Sequence, residues 1–329
     1  MASYEHSRLP GLGAAVSHTT RSDLHIVVTC ANRKRLPVSQ ELCLQDIRHT
    51  RPAIRFDAWT HRLSTSRAKE VPADQLYGGE HWQVARSLDE HATAAGHTAT
   101  TWVCSAGYGL VPITAVLRPY AATFAFGHAD SVGGTTEIVQ QWWDHHTVWQ
   151  GPTLGAPRSL ANLAVHAPNA HLLIVLSGVY LRACAHDLVA LAGKLPRPEQ
   201  LTIISVGGTA PRELQEFVLP ADGHLQTVVG GTMGALNVRV AARLLQMSAD
   251  TPPDRQALAD RLAQLQQEAG RRPVFQRTPM TDEQVRSFIL ERLTAASTHT
   301  ALLRQLRDSG LACEQKRFAQ LFAATVRGQ

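Results

Sequence analysis

Small, polar and aromatic residues follow an apolar run near the end of the first third of the sequence. Residues 101–112 pass from an apolar stretch into Ser105-Ala106-Gly107-Tyr108-Gly109. Glycines on both sides of a tyrosine let the backbone and one aromatic ring come close to a flat, polar ligand. We therefore predict that this segment forms one wall of a pocket for a nucleobase or nucleoside, with contacts from Ser105, Gly107, Tyr108 and Gly109.

Two further apolar runs, residues 24–29 and 171–177, also lead into small and polar residues. In open α/β sheets, ligands bind beyond the carboxyl ends of the strands. We therefore predict that the residues at these ends contact a base or nucleotide, and that two cations contact a sugar-phosphate backbone. The predicted base contacts are Cys30, Asn32, Ser177, Gly178 and Tyr180, and the predicted backbone contacts are Arg33 and Lys34. A solvated basic loop after the first run is the alternative.

The elements that would position these residues alternate between strand and helix along residues 23–250. Such alternation is typical of an α/β domain with a mostly parallel, three-layer sheet. The glycines within residues 230–235 are predicted to make a tight turn from strand to helix, and a phosphate cradle is the alternative. Strands are predicted at residues 24–29, 101–104, 171–177, 201–206 and 225–229, and helices near residues 81–95, 137–149 and 235–247.

Length and composition set the class of protein. A chain of 329 residues with 44% hydrophobic and 18% charged residues favours one large domain and a smaller one. No apolar run is long enough to span a bilayer and no signal-peptide pattern is present, so we expect a cytoplasmic protein. The five cysteines and the histidines lack metal-ligand spacing, so neither a metal nor another cofactor is expected. Residues 1–22 are expected to form a flexible lead-in.

The last part of the chain, residues 251–329, differs from the rest in being helical and basic. Residues 271–329 contain ten Lys and Arg against five Asp and Glu, a net charge of +5. Short helices joined by a turn at residues 308–310 predict a small all-α, helix-turn-helix-like domain that binds DNA. The expected contacts to the DNA backbone are Arg304, Arg307, Lys316 and Arg317. A helical bundle with a solvated basic face is the alternative.

Four features occur in a definite order along residues 24–247. They are Cys30-x-x-x-Lys34, Leu76-Tyr77 with Trp82, Ser105-Ala106-Gly107-Tyr108-Gly109-Leu110, and Ser177-Gly178-x-Tyr180. This order resembles the YaaA-like superfamily of bacterial domains, which is related in fold to uracil-DNA-glycosylase-like domains. That family usually has a lysine where this chain has Gly107, so any role for a cation at this position is lost. The chain is also similar to the phage-defence DNA glycosylases that remove glucosylated hydroxymethylcytosine.

The resemblance implies a DNA glycosylase that flips a modified base out of double-stranded phage DNA and hydrolyses its N-glycosidic bond, leaving an abasic site. Tyr77 and Tyr108 would stack on the base or shape its pocket. Asp74 and Asp130 would be the catalytic carboxylates; a helix-capping role for Asp74 and a turn role for Asp130 are the alternatives. Two other functions stay open: a DNA-binding protein that senses nucleotides without catalysis, and an N-glycosidase for free nucleosides or nucleotides.

Overall fold

A six-stranded sheet forms the centre of the larger part of the protein. The computed structural model describes residues 22–206, 210–219, 221–248, 253–270, 276–294 and 297–327. The chain forms two compact units, Met1–Gly270 and Arg271–Gln329. The expected lead-in, except for Ser22, lies outside the described residues. The strands of the first unit are β1 (Asp23–Thr29), β2 (Val71–Pro72), β3 (Thr98–Ser105), β4 (Gly109–Pro112), β5 (Val116–Leu117), β6 (His171–Val175), β7 (Leu201–Ile204) and β8 (Val218–Leu219).

Strands β1 and β6 lie in the middle of the sheet, whose order is β4-β3-β1-β6-β7-β8. Strand β4 is antiparallel to β3, and the other neighbours are parallel. Apolar side chains on both faces account for the central position of β1, because Leu24, Ile26 and Val27 are at most 1% exposed. The predicted mixed α/β fold with a mostly parallel sheet is confirmed. Strands β2 and β5 form a separate antiparallel pair.

The order of the parallel strands creates a crevice at one edge of the sheet. Counted along the chain, the five parallel strands β1, β3, β6, β7 and β8 stand in the order 2-1-3-4-5, which is the flavodoxin-like order. The chain passes from β1 toward β3 on one side and from β6 toward β7 on the other. The connections therefore diverge beyond the carboxyl ends of β1 and β6, where sheets of this kind bind their ligands.

Helices fill the connections of the first unit. Side-chain caps begin three of those described: the hydroxyls of Thr135 and Ser159 accept hydrogen bonds from the backbone N–H groups of Ile138 and Asn162, and the Asp254 carboxylate accepts one from Ala257. Among the described helices of the protein, none is both long and apolar enough to cross a membrane. The helices are α1 (Pro52–Thr65), α2 (Ala73–Leu76), α3 (Glu80–Ala85), α4 (Leu88–Ala94), α5 (Thr136–Val148), α6 (Leu160–His166), α7 (Gly178–Ala183), α8 (Ala185–Ala192), α9 (Gln226–Val229), α10 (Leu236–Gln246) and α11 (Arg255–Ala269), with 3₁₀ turns at Gln40–Leu42, Leu44–Ile47, Pro198–Gln200, Arg212–Phe217, Gly223–Leu225 and Met233–Ala235.

One predicted strand, residues 225–229, is wrong. The segment lies in the 3₁₀ turn that ends at Leu225 and in helix α9. The Asp222 carboxylate accepts a hydrogen bond from the backbone N–H of His224 at 2.7 Å and so begins the first turn. Gly230 ends α9 with a φ of +67°. The last strand of the sheet is instead the short β8, which the sequence pattern did not predict.

The second unit has a core of its own. It contains α12 (Asp282–Arg292), α13 (His299–Asp308) and α14 (Gln315–Arg327), with a parallel pair of short strands, β9 (Thr278–Pro279) and β10 (Leu311–Ala312). The predicted helical C-terminus is confirmed. Helix α11 belongs to the first unit, because Leu258, Leu262 and Leu265 are buried in that unit's core. The division between the units therefore lies at Gly270 rather than at residue 250.

Candidate functional site

A cavity of about 300 Å³ opens beyond the carboxyl ends of β1 and β6. This volume lies at the lower end of the range for ligand pockets. Its position is the one at which the strand order favours a ligand site. The polar residues that line it are Thr29 at the end of β1, Cys30 and Asn32 after β1, Ser177 and Tyr180 after β6, and His81 and Thr123.

Several polar groups in this cavity have no hydrogen-bond partner among the residues that the structure describes. They include the side-chain amide of Asn32, the hydroxyl of Ser177 and one nitrogen of His81. Ser177 and His81 are half-buried and Asn32 is exposed. Half-buried polar groups are normally paired with protein or water. Unpaired groups that converge on one cavity are therefore available to a polar ligand.

His81 is a residue of the cavity that the sequence did not single out. It lies in the first turn of α3, which follows Gly79 with its φ of +96°. Its Nε2 donates a hydrogen bond to the carbonyl oxygen of Thr29 at 2.9 Å, which leaves Nδ1 as an acceptor. Burial lowers the pKa of His81, so the ring is neutral at pH 7. The two glycines before a helix that begins Glu80-His81 were the only signal in the sequence.

The Cys30 thiol joins the cavity to a buried chain of hydroxyl groups. Its Sγ lies 3.0 Å from Oη of Tyr180 and 3.4 Å from Oη of Tyr120. The Tyr120 hydroxyl also lies 2.7 Å from Oγ of Ser105 and 3.0 Å from Oη of Tyr77. Burial raises the pKa values of Tyr77, Tyr120 and Tyr180 well above that of a free phenol. These phenols are therefore neutral hydrogen-bonding groups at pH 7.

Lys34 supports the loop after β1 from the inside. Its ammonium donates to the carbonyl oxygens of Ala31 at 2.9 Å and Asn32 at 3.2 Å. It also lies 4.3 Å from the ring centroid of Tyr120, a favourable cation–π distance. Burial lowers the pKa of Lys34. Of the two cations predicted to contact DNA here, Arg33 is exposed, whereas Lys34 is half-buried and bound to its own loop.

The glycine-tyrosine turn after β3 does not line this cavity, and its residue types follow from packing. The Ser105 hydroxyl accepts hydrogen bonds from the backbone N–H groups of Gly107 and Tyr108 at 3.2 and 2.9 Å. A Cβ at Gly107 would lie 2.5 Å from the Tyr120 ring, and one at Gly109, whose φ is +70°, would lie 2.6 Å from Cβ of His146. Both glycines are therefore required by neighbouring side chains.

The two tyrosines predicted to stack on a base are buried elsewhere. Tyr77 is 0% and Tyr108 3% exposed. The Tyr108 hydroxyl accepts from the backbone N–H of Arg118 at 3.0 Å, and its ring borders a different cavity together with Trp149. Gly178 begins α7 directly behind Ser177. The structure thus brings Cys30, Asn32, Ser177 and Tyr180 together and leaves the other predicted base contacts outside the cavity.

Neither predicted catalytic carboxylate lines the cavity. Asp74 lies in α2, where its backbone carbonyl accepts from Nε1 of Trp82 at 3.0 Å and its Oδ1 is buried without a hydrogen-bond partner among the described residues. Asp130 accepts a hydrogen bond from the backbone N–H of Gln45 at 3.0 Å and so fixes a loop. The described residues that border the cavity include no Asp or Glu.

The four predicted DNA-backbone cations of the second unit fall into two pairs. Arg304 and Lys316 are exposed. Arg317 donates to Oδ1 of Asp282 at 2.7 Å and to the carbonyl of Met280 at 3.1 Å, and Arg307 donates to the carbonyl of Cys313 at 3.4 Å. The second pair therefore takes part in the structure of its own unit.

Within the part of the chain that the structure describes, no group of three or more His, Cys, Asp or Glu is arranged to hold a metal ion. The five cysteines are free thiols. Comparisons of the chain with models of protein families, with curated proteins and with solved structures found no match. The residues of the site themselves therefore carry the evidence on function.

Proposed function

We propose that this protein is a DNA glycosylase that flips a modified base into the cavity beyond β1 and β6 and hydrolyses its N-glycosidic bond. The observation that supports this proposal is the convergence of unpaired donors and acceptors from Asn32, Ser177 and His81 on one cavity. Such groups suit the polar edge of a flipped base. Glucosylated hydroxymethylcytosine of phage DNA is the proposed base, and action on invading DNA implies a cytoplasmic location.

In the proposed reaction, Asn32 and Ser177 hold the base by hydrogen bonds, and His81 acts on water. The bond between the base nitrogen and C1′ of the sugar breaks, and its electron pair leaves with the base. A water oxygen forms the new bond to C1′ while one of its protons passes to Nδ1 of His81, and the departing base then takes up a proton from His81 through water. Because burial lowers the pKa of His81, its ring is neutral at pH 7 and Nδ1 is free to accept this proton. The products are the free base and an abasic site.

We also propose finer features of the fold. Helices α4 and α10 pack together against strands of the sheet, and α5, α6 and α8 form another packed group, which supports a three-layer arrangement. For the second unit we propose a helix-turn-helix-like contact to DNA through the exposed Arg304 and Lys316. The connection between α13 and α14 includes β10 and is longer than the usual turn of this motif.

The test uses duplex DNA with and without glucosylated hydroxymethylcytosine, followed by alkali. Strand breaks confined to the modified DNA are the expected result. His81→Gln should lower the rate by about 10² or more, the usual contribution of a general base. His186→Gln, which changes an exposed histidine outside the cavity, should leave the rate unchanged. Binding of modified DNA without any strand breaks would contradict the proposed function and favour a DNA-binding protein that senses nucleotides.

A hydrolase of free nucleosides or nucleotides is the second candidate. It is favoured by the modest volume of the cavity and by the fact that all its lining residues belong to the first unit. Chromatography of reactions with nucleosides would detect the released base. The variant Arg304→Glu with Lys316→Glu should slow excision from DNA and reduce its dependence on salt. Equal activity of this variant on DNA would favour the second candidate.

A further inference from the structure

Two exposed apolar side chains are direct neighbours of residues that line the cavity. Phe126 is 44% exposed and follows Ala125, and Met233 is 54% exposed and precedes Gly234. Single exposed apolar residues are common on protein surfaces. An exposed phenyl ring one residue from the lining of a cavity has a more specific use, because apolar wedges enter the base steps of a duplex and separate them.

The loop that carries Phe126 is fixed at both ends. The backbone N–H of Thr123 donates to the carbonyl of Asp130 at 3.0 Å, and that of Val132 donates to the carbonyl of Thr123 at 3.0 Å. The Asp130 carboxylate accepts from the backbone N–H of Gln45, which ties the loop to the segment before α1. Phe126 is therefore presented in a preformed turn, and the ordering cost of inserting it into another surface is small.

A cation accompanies the ring. The guanidinium carbon of Arg182 lies 5.2 Å from the ring centroid of Phe126, and Arg182 is exposed. Arg182 belongs to α7, the helix that directly follows the cavity residue Ser177. A phenyl ring for stacking beside a guanidinium for a phosphate is the combination that a nucleic-acid strand binds.

We propose that Phe126 enters the base stack of duplex DNA and fills the gap that the flipped base leaves, while Arg182 contacts a neighbouring phosphate. This inference rests on the proposed function, since it assumes that a base of duplex DNA occupies the cavity. Stacking of the ring on the neighbouring bases offsets part of the cost of extruding the base and slows the base's return. A single-stranded substrate has no opposing stack to open, so the ring contributes less there.

The test compares excision from duplex and single-stranded DNA that carry the same modified base, with the full-length protein. Phe126→Ala should lower the duplex rate at least about tenfold, the loss expected for one stacking contact, and the single-strand rate by less than about twofold. Leu154→Ala, which truncates an apolar side chain that is 74% exposed and lies outside the cavity, should change neither rate. An equal effect of Phe126→Ala on both substrates, or no effect on either, would overturn the proposal.

A binding assay separates this proposal from the proposed function. A duplex with 2-aminopurine beside the modified base should become more fluorescent when the wild-type protein binds, because the neighbouring stack opens. The Phe126→Ala variant should bind without this rise, and a rise equal to that of the wild type would overturn the role of Phe126. Wild-type protein that excises the base from neither substrate would contradict the proposed function, while the fluorescence would still decide whether Phe126 opens the stack.

Discussion

Two segments of this protein share a sequence pattern and have different surroundings. Strand β3 ends in Ser105 and Tyr108 follows three residues later, and β6 is followed by Ser177 and Tyr180 with the same spacing. Ser105 is 0% and Tyr108 3% exposed, in a turn covered by the Tyr120 ring. Ser177 and Tyr180 line the cavity instead.

The element that follows each strand produces this difference. After Ser105 the chain reverses into the antiparallel β4 and folds back on the sheet. After Ser177 it begins α7 and leaves the end of the sheet open. The pattern of strand, serine and tyrosine therefore predicts a place at the carboxyl end of a strand, and the next element decides whether that place is closed or open. We call the segment after β3 the closed segment and the segment after β6 the open segment. Substitutions in the closed segment are expected to change stability, and substitutions in the open segment are expected to change binding.

The largest effect on stability is expected from Gly107→Ala. The added Cβ would lie 2.5 Å from the Tyr120 ring in the closed segment, and such overpacking costs about 1–3 kcal/mol of the free energy of unfolding. Urea unfolding followed by tryptophan fluorescence measures this, and all six tryptophans lie in the first unit. The matched control is Gly234→Ala at the cavity, where a Cβ meets no atom within 4 Å of the described structure. Equal losses in the two variants would break the comparison.

The next largest effect is expected from Tyr120→Phe. Loss of this hydroxyl leaves Ser105, Tyr77 and Cys30 short of a buried hydrogen-bond partner, at a cost of about 1–2 kcal/mol in the free energy of unfolding. Tyr180→Phe removes only the contact with Cys30 and should cost less than half as much. The same unfolding experiment checks both variants. If Tyr180→Phe lowered the free energy of unfolding more than Tyr120→Phe does, the closed segment would not be the one that contributes more to stability.

A pH-dependent loss of stability is expected from the closed side, at His146. Burial and then the nearby Arg158 lower the pKa of His146 well below that of a free imidazole. As pH falls through 6.5 the unfolded chain takes up a proton that the folded protein does not, so stability falls. One such group contributes a slope of at most about 1.4 kcal/mol per pH unit. Urea unfolding at pH 7.5 and 5.5 should show this loss, and His146→Gln should reduce the slope; an unchanged slope would exclude His146 as its source.

The smallest effect on stability is expected from Ser177→Ala on the open side. Its hydroxyl has no hydrogen-bond partner among the described residues, so the free energy of unfolding should change by less than about 0.5 kcal/mol. Its loss should appear instead as weaker binding of the modified base, by about tenfold for one hydrogen bond. Unfolding followed by fluorescence measures the effect on stability, and binding to modified DNA measures the effect on affinity. A destabilised variant that binds normally would reverse the comparison.

Sequence patterns predicted the central sheet because its strands are nearly continuous runs of β-branched and other apolar residues. The same rule failed at residues 225–229, whose Val228 and Val229 favour a strand. There Asp222 begins the 3₁₀ turn and Gly230 ends helix α9. These two residues at the ends of the segment fix its helical conformation despite the preference of its valines for a strand. The spacing of hydrophobic residues does not reveal where an element begins or ends when a single side-chain hydrogen bond fixes that boundary.

The site was predictable where it depends on strand ends. Cys30 and Ser177 could be placed together because neighbouring parallel strands end at the same edge of a sheet. His81 could not, because its position depends on a hydrogen bond to Thr29, far away in sequence. The aromatic residues Tyr77 and Tyr108 were assigned to a ligand since residue type does not tell whether a ring is buried in the core.

The central place of β1 has a consequence for the order of folding. Leu24 pairs with Ala99 on one side and with His171 on the other, so both partners are synthesised long after β1. Contacts of such long sequence separation form slowly. During synthesis β1 therefore exposes apolar faces and an unpaired edge until β6 has left the ribosome. A nascent chain that stops before β6 is an aggregation-prone species, and a chaperone would protect that edge best.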